Sequence, residues 1–338
     1  MKTRGKPQLF RCFQFAINSG CNKQIRLLTQ SCHLTLRDIP MRRIIALICV
    51  LLAVGSHNLA AEPVTLSHDG LTLNADLATS GANWANGPLV LMTHGTLAHN
   101  RMEIMAGLQG MLADRGVSSL AINLSLGLDK RPSAMYDCPT PHTHKHTDAL
   151  DEIGAWLGWL KAQGARQIVL LGHSRGGNQT AWFAAERPDP SIVRVILIAP
   201  GGWNPGYGAG DYRKRYDKDL APVLKQAREL VAAGKPKQMM QPLDFIYCEQ
   251  TAASAEAVLS YYEPDQLRDT GDLLPKIQVP VVVFLGSEDK VVKGAAERME
   301  SVADGERIRL EVVDGADHFF RDLYSEDIAD SIAETLDL

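Results

Sequence analysis

A serine flanked by glycines stands between a predicted strand and a predicted helix. Residues 168–171 form an apolar run typical of a buried strand, and a helix-like segment extends over residues 178–185. Between them lies Gly-His-Ser-Arg-Gly at residues 172–176. G-x-S-x-G in this context is the nucleophile elbow. The turn is too crowded for a Cβ inside it, so we expect Ser174 to be strained and its hydroxyl exposed.

An acid and a base follow two later predicted strands. Residues 279–285 form one strand, and Gly-Ser-Glu-Asp289 comes directly after it. Residues 308–313 form the next, and Gly-Ala-Asp-His318 follows. Catalytic groups gather at the carboxyl ends of strands in open parallel sheets, so Ser174, Asp289 and His318 are expected to meet. His318 would take the proton of the serine hydroxyl, and Asp289 would hold the imidazole in one tautomer.

The segments around these residues predict an α/β architecture. Residues 62–77 have the pattern of a β-hairpin, with a turn at residues 68–70. From residue 89 onward, apolar strands alternate with amphipathic helices, which predicts a parallel sheet flanked by helices. The alternation stops for about eighty residues after residue 200, where helix-like pieces occur near residues 218–233 and 252–262. An insert of this kind, about residues 203–275, is predicted to be a small helical lid.

The elbow and the alternation together resemble the α/β-hydrolase superfamily, with its serine esterases and lipases, over residues 62–338. The resemblance implies a mostly parallel central sheet flanked by helices, here with an N-terminal β-hairpin. It also implies the chain order Ser, Asp, His, which Ser174, Asp289 and His318 follow.

The position of the acid has alternatives. Glu288 adjoins Asp289 in the sequence. Some members of the superfamily place the acid after the preceding strand, where Asn204 or Asp211 could serve. Asp289 is nevertheless the expected acid.

The resemblance implies an oxyanion hole made of two backbone N–H groups. One belongs to the residue after the nucleophile, Arg175, and the other to the loop after the strand at residues 89–92. Thr96 is the expected donor there, and Leu97 is the alternative. The side chain of Arg175 also brings a cation to the site, where it could bind an acidic substrate or pair with a structural carboxylate.

Four residues are candidates for lining a substrate pocket: His94, Leu97, Trp203 and His142. Aromatic side chains in the insert could line an acyl or alcohol site, or they could form the core of the lid: Trp203, Tyr207, Tyr261 and Tyr262.

Three histidines alternate with other residues in the segment 137–148. If this proline-containing segment is extended, His142, His144 and His146 point to one face. Three interpretations are open: a pocket-lining or scaffolding role, a solvated loop, or a Zn²⁺ or Cu²⁺ site. The chain has no dinucleotide or P-loop fingerprint, so no cofactor is expected.

The sequence from Met41 to Ala61 has the plan of a secretory signal peptide. Arg42 and Arg43 precede an apolar stretch, residues 44–54, and a small-residue cleavage site ends at Ala61. Residues 1–40 are then expected to be an upstream extension that is not translated. The alternative is a cytoplasmic tail before a signal anchor. The first interpretation predicts a periplasmic or secreted protein.

Removal of this leader changes the charge and the cysteine content. Residues 62–338 keep 26 basic and 38 acidic residues, a net charge of −12. Such a surface does not favour nucleic acid, and no apolar run is long enough to span a bilayer. Cys138 and Cys248 are the cysteines that remain, so in an oxidising compartment they are expected to form a disulfide.

The residues therefore predict a serine hydrolase for a small-molecule ester or thioester, acting through an acyl-enzyme on Ser174. The alternative is a non-catalytic binding or metal-handling module on the same scaffold, which would use His142, His144 and His146.

Overall fold

The computed structural model describes residues 61–202 and 207–336. The predicted leader, the upstream extension and Trp203 lie outside these ranges. The strands, in chain order, are β1 (Glu62–His68), β2 (Leu71–Ala78), β3 (Leu89–Thr93), β4 (Ser118–Asn123), β5 (Ile168–His173), β6 (Ile192–Ile198), β7 (Met239–Phe245), β8 (Cys248–Ser254), β9 (Val281–Gly286) and β10 (Ile308–Val313).

Eight of these strands form one sheet in the order β1-β2-β4-β3-β5-β6-β9-β10. The predicted N-terminal hairpin is present, and β2 joins β4 antiparallel. From β4 to β10 every neighbouring pair is parallel, with Leu91 of β3 beside Leu120 on one side and Leu170 on the other. The parallel order brings the carboxyl ends of β3, β5, β9 and β10 to one edge. The predicted α/β-hydrolase fold is therefore the fold of this chain.

The described α-helices are α1 (Glu103–Asp114), α2 (Asp148–Ala162), α3 (Arg175–Glu186), α4 (Tyr207–Tyr216), α5 (Ala221–Ala232), α6 (Ala255–Tyr262), α7 (Thr270–Leu273), α8 (Ala295–Glu300) and α9 (Leu323–Thr335). Alternate residues of each central strand enter two separate cores. In β5, Val169 and Leu171 pack into the core that contains α1 and α9, whereas Ile168 and Leu170 pack into the core that contains α2 and α3. Both faces of the sheet are therefore buried, which explains why these strands are continuously apolar. No helix within the two described ranges is both long and apolar enough for a membrane span.

The insert between β6 and β9 contains more than the predicted helices. In its described part, residues 207–276, α4 and α5 precede an antiparallel hairpin of β7 and β8, and α6 follows. This hairpin was not predicted from the sequence, because its strands carry Met, Gln, Pro and Asp instead of a strict apolar alternation. Ala252 and Ala253 have high helix propensity but lie in β8, because pairing with neighbouring segments outweighs local preference.

The histidine segment, residues 137–148, lies against this hairpin. The N–H of His142 donates to the carbonyl of Ala252 at 2.8 Å, and the N–H of Ser254 donates to the carbonyl of His142 at 2.9 Å. The predicted disulfide is present between Cys138 and Cys248, whose Cα atoms are 5.2 Å apart. The insert is thus joined to the segment before α2 by backbone pairing and by a covalent bond.

Candidate active site

Ser174 occupies the sharp turn between β5 and α3. Its φ of 56° and ψ of −124° place it in a strained conformation that few non-glycine residues adopt. A Cβ on Gly172 would lie 2.4 Å from the carbonyl oxygen of Gly176, and a Cβ on Gly176 would lie 2.2 Å from that of His94. The N–H of Ser174 donates to the carbonyl of Ile198 at 2.9 Å, which anchors the turn to β6. The glycines of the motif are therefore required by backbone contacts on both sides of the serine.

The three residues predicted to form the triad lie together at the carboxyl ends of the parallel strands, which we call the edge of the sheet. Nε2 of His318 is 3.0 Å from Oγ of Ser174, and Nδ1 of His318 is 2.7 Å from Oδ2 of Asp289. An ionised carboxylate only accepts hydrogen bonds, so Nδ1 carries the proton and Nε2 presents its lone pair to the serine. This is the tautomer that can accept the serine proton.

Asp289 is held as a carboxylate by several donors. Its Oδ1 accepts the N–H groups of Val291 at 2.7 Å and Val292 at 3.1 Å, while Oδ2 faces His318. Burial raises the pKa of Asp289, but the hydrogen bond with His318 and the two backbone donors outweigh it and leave the pKa below its usual value. The acid is therefore ionised and oriented before any substrate binds.

His173, the residue before Ser174, holds the loop that carries His318. Its Nε2–H donates to the carbonyl oxygen of His318 at 2.8 Å. Burial, followed by the nearby His318, lowers the pKa of His173 to about 4, so its ring is neutral at pH 7. It links the elbow to the base without taking a place in the triad.

Three alternatives to the acid were considered from the sequence: Glu288, Asn204 and Asp211. Glu288 is exposed, and Asp211 lies within 3.4 Å of Arg215 in an ion pair on α4. Asn204 lies outside the described residues. Asp289 is the carboxylate whose oxygen contacts the imidazole.

Thr96 and Arg175, the expected oxyanion-hole residues, both line a cavity beside Ser174. Nε of Arg175 donates to Oγ1 of Thr96 at 2.9 Å, which fixes the two loops relative to each other. The alternative, Leu97, is buried and lines neither of the two cavities described below. Its carbonyl accepts the N–H of Tyr136 at 2.9 Å, so it belongs to the packing behind the loop.

Two cavities of opposite character meet at Ser174 and Thr96. The larger, about 900 Å³, is bounded by the insert and contains many polar and charged groups. The smaller, about 260 Å³, is lined mainly by apolar side chains such as Met102, Met105 and Met135. A substrate bound at Ser174 could therefore place an apolar part on one side and a polar part on the other.

The four residues predicted to line a substrate pocket do not all lie at a cavity in the structure. His94 lines the smaller cavity, but both ring nitrogens are occupied: Nδ1–H donates to the carbonyl of Gly95 at 2.9 Å, and Nε2 accepts the N–H of Leu124 at 3.1 Å. Burial lowers its pKa to about 3. Leu97 and His142 line neither cavity because they are packed into the interior, and Trp203 is not described. In contrast, Tyr261 and Tyr262 of the insert do line the larger cavity.

The alternation predicted for the histidine segment is present, since His142, His144 and His146 are buried and the residues between them are exposed. Nδ1 of His142 is 3.2 Å from Nε2 of His144, and Nδ1 of His144 is 2.8 Å from the hydroxyl of Tyr261. His146 donates from Nε2 to Oδ1 of Asn178 at 3.0 Å. The rings thus connect α6 of the insert to the domain beneath it.

These contacts correspond to the scaffolding role, one of the three interpretations considered from the sequence. Burial is the first cause that lowers the pKa of all three rings, to about 4 for His142 and well below the usual value for His144 and His146. No cluster of three or more histidine, cysteine or acidic residues suited to a metal occurs within residues 61–202 and 207–336.

Several residues that line the larger cavity were not predicted from the sequence: Arg268, Tyr247, Lys290 and Lys293. Arg268 is an isolated arginine after α6, and Tyr247 lies in the turn of the missed hairpin. Neither stands in a motif, so only the folded insert brings them near Ser174.

The chain belongs to the alpha/beta hydrolase family, whose family model matches residues 90–331. Comparison with curated proteins finds no match.

Solved structures share the fold at low sequence identity. Est1E from Butyrivibrio proteoclasticus is 19% identical with a TM-score of 0.55, and the alignment covers 81% of this chain and 97% of that one. A monoacylglycerol lipase from Paleococcus ferrophilus is 18% identical with a TM-score of 0.53, covering 78% and 98%. E-2-(acetamidomethylene)succinate hydrolase is 20% identical with a TM-score of 0.52, covering 82% and 100%. These likenesses are to the fold.

Proposed function

We propose that this protein is a serine hydrolase that cleaves a carboxylic ester or thioester through an acyl-enzyme on Ser174. The observation that carries the proposal is a pair of hydrogen bonds: Nδ1–H of His318 donates to Oδ2 of Asp289 at 2.7 Å, and the hydroxyl of Ser174 donates to Nε2 of His318 at 3.0 Å. A serine hydroxyl is activated when an imidazole accepts its proton and a carboxylate orients that imidazole. Both contacts are present here, beside two cavities that could hold a substrate.

In this proposal, Oγ of Ser174 attacks the substrate carbonyl while Nε2 of His318 takes the hydroxyl proton. The backbone N–H groups of Arg175 and Thr96 stabilise the oxyanion that develops. His318 then protonates the leaving alcohol or thiol. A water molecule, deprotonated by His318, cleaves the acyl-enzyme and regenerates Ser174. Asp289 orients His318 and stabilises its charged form throughout.

A fluorophosphonate probe tests the nucleophile directly. The wild-type protein should be labelled at Ser174, and Ser174→Ala should not be labelled although it folds normally. Ser301→Ala, which removes an exposed hydroxyl after α8, is the matched control and should be labelled like the wild type. Absence of labelling in correctly folded wild-type protein, together with no turnover of nitrophenyl esters or thioesters of graded acyl length, would refute the proposal.

We also propose that the protein is exported, with cleavage near Ala61. The signal-peptide pattern from Met41 supports this, and so does a disulfide between Cys138 and Cys248, which persists in oxidising compartments. N-terminal sequencing of the protein recovered from the periplasm or the medium should start near Glu62. Recovery of the chain solely inside the cytoplasm, with residues 41–61 retained, would contradict the proposal.

A further inference from the structure

The wall of the larger cavity is strongly cationic although the protein is acidic. Residues 62–338 carry a net charge of −12. The basic residues that line the cavity are Arg175, Lys214, Arg215, Arg268, Lys290 and Lys293. Asp211 is the acidic residue among the lining residues, and it forms an ion pair with Arg215 at 3.4 Å. The charge around Ser174 is therefore opposite in sign to that of the chain as a whole.

Arg268 is the most unusual of these cations. Its Nη2 donates to the carbonyl oxygens of Leu259 and Ser260 at the end of α6. Its Nε and Nη1 are buried, yet neither has a hydrogen-bond partner among the described residues. Buried donors without acceptors are costly, and a buried charge without a counterion costs more. The position therefore needs an acceptor that the described chain does not supply.

The carboxylates near Arg268 are committed elsewhere. Asp265 accepts the N–H of Leu267 at 2.9 Å, and Glu263 pairs with Arg228 at 2.7 Å. Asp265 and Glu263 raise the pKa of Arg268, but by less than other effects lower it. Burial and then Arg175 lower it to about 10, so Arg268 keeps its charge at pH 7.

Arg175 adds a second guanidinium, and its contacts are neutral. It donates to Oγ1 of Thr96 at 2.9 Å and to Nδ1 of His146 at 3.3 Å, and its guanidinium lies 5.1 Å from the ring centre of Tyr261. Nδ1 of His146 is free to accept because its Nε2 donates to Asn178. Within residues 61–202 and 207–336, Arg175 forms no ion pair with a carboxylate. The pairing of Arg175 with a structural carboxylate, which was considered from the sequence, is therefore not found among these residues.

We infer that the larger cavity binds an anionic group of the substrate, so that the favoured ester carries a carboxylate in the half that points toward Arg268 and Arg175. A guanidinium presents parallel N–H donors that match the two oxygens of a carboxylate. A cavity walled by one sign of charge also concentrates substrates of the opposite sign. The apolar half of such an ester would lie in the smaller cavity, beside the methionines. This inference rests on the proposed function and specifies its substrate class.

Two matched substrate pairs test the inference. One pair is 4-acetoxybenzoate and 4-acetoxybenzamide, with the charge in the leaving group. The other is mono(4-nitrophenyl) adipate and its terminal carboxamide, with the charge in the acyl group. For each pair, the ratio of kcat/KM for the anionic ester to kcat/KM for the neutral one is measured in wild type and in Arg268→Met. Comparing the two proteins cancels the intrinsic reactivity of the esters.

We expect Arg268→Met to lower this ratio about tenfold in at least one pair, the loss typical of a charge-assisted contact. Arg228→Met is the matched control, because Arg228 lies in the same insert, pairs with Glu263 and does not line the cavity. It should keep the wild-type ratio. Raising the salt concentration should lower the wild-type ratio, since ions screen exposed charges of the wall.

Other outcomes would overturn the inference. If Arg268→Met and Arg228→Met both keep the wild-type ratio for both pairs, the cavity does not recognise an anion, although the serine hydrolase proposal stands. If no ester is cleaved and the fluorophosphonate probe does not label Ser174, the proposed function fails and this inference fails with it.

Discussion

The catalytic edge of the sheet and the wall of the larger cavity are assembled in different ways. At the edge, Ser174, Asp289 and His318 each lie within a few residues of the end of a strand, so sheet geometry positions them. At the wall, Tyr261 and Arg268 come from the insert, which depends on contacts with distant segments. The proposed catalytic residues are therefore positioned by short local connections, whereas the part of the cavity wall that the insert supplies is positioned by long-range packing.

The histidines of the two regions show the same contrast. His318 lies between the carboxylate of Asp289 and the hydroxyl of Ser174, which is the arrangement that transfer of the serine proton to Nε2 requires. His142, His144 and His146 are buried, and burial lowers the pKa of each. Within residues 61–202 and 207–336, His318 has a carboxylate partner and the three buried histidines do not, so we propose proton transfer for the first and packing for the others.

The largest expected effect is at the edge. His318→Gln removes the base and should lower kcat about 10⁴-fold with little change in melting temperature, since the substitution lies in a loop. Steady-state kinetics and circular dichroism on the same preparation measure both quantities. His68→Gln in the N-terminal hairpin is the control and should keep wild-type kcat. Wild-type kcat in His318→Gln would rule out the triad.

The next effect is on the insert and its attachment. Replacing Cys138 and Cys248 together by serine opens a loop with a sequence separation of 110 residues. For a loop of this size, the lost constraint on the unfolded chain corresponds to about 2–5 kcal/mol of unfolding free energy. Urea unfolding should show this loss, and reductant should destabilise the wild type but not the double variant. Equal stability of the two proteins would show that backbone pairing alone holds the insert.

A smaller effect concerns the pH dependence of stability. Burial lowers the pKa of His142 in the folded protein to about 4, below its usual value of 6.5. The contribution of neutral His142 to the free energy of unfolding is therefore fully present above pH 6.5. It is lost as pH falls toward 4, because His142 binds a proton in the unfolded chain before it does so in the folded one. His142→Gln should reduce the slope of unfolding free energy between pH 4.5 and 6 by about 1.4 kcal/mol per pH unit.

Tyr136→Phe is the control for this slope. It removes the hydrogen bond from the Tyr136 hydroxyl to the carbonyl of Pro141 at 3.1 Å, beside His142, without removing a group that titrates in acid. It should lower stability at every pH and keep the wild-type slope. A wild-type slope in His142→Gln would mean that His142 is not buried in its neutral form.

The smallest effect should come from Tyr261→Phe, at the contact between the histidine segment and α6 of the insert. It removes the hydrogen bond between the Tyr261 hydroxyl and Nδ1 of His144 at 2.8 Å, and it keeps the ring under Arg175. Loss of one buried hydrogen bond should cost about 1 kcal/mol of unfolding free energy. Stability equal to wild type in urea unfolding would show that the link between the histidine segment and α6 contributes nothing.

The edge could be predicted from the sequence because its signals are local. Apolar strands, the glycines around Ser174 and polar residues directly after strand ends all act within a few residues. The fold and the meeting of Ser174, Asp289 and His318 followed from these signals together with strand order. The hairpin of β7 and β8 was missed for the opposite reason, because its strands are stabilised by pairing with each other and with the segment around His142.

By itself, the sequence determined the sheet, the elbow and the order of the three catalytic candidates, because steric exclusion and alternating hydrophobicity act over short distances along the chain. It also determined that residues 138 and 248 were available to pair. Only the tertiary structure decided that Arg268 and Arg175 lie in one cavity with no carboxylate partner within residues 61–202 and 207–336, and that three histidines lie in the interior. Those outcomes depend on burial and on neighbours about a hundred residues away, which no local pattern encodes.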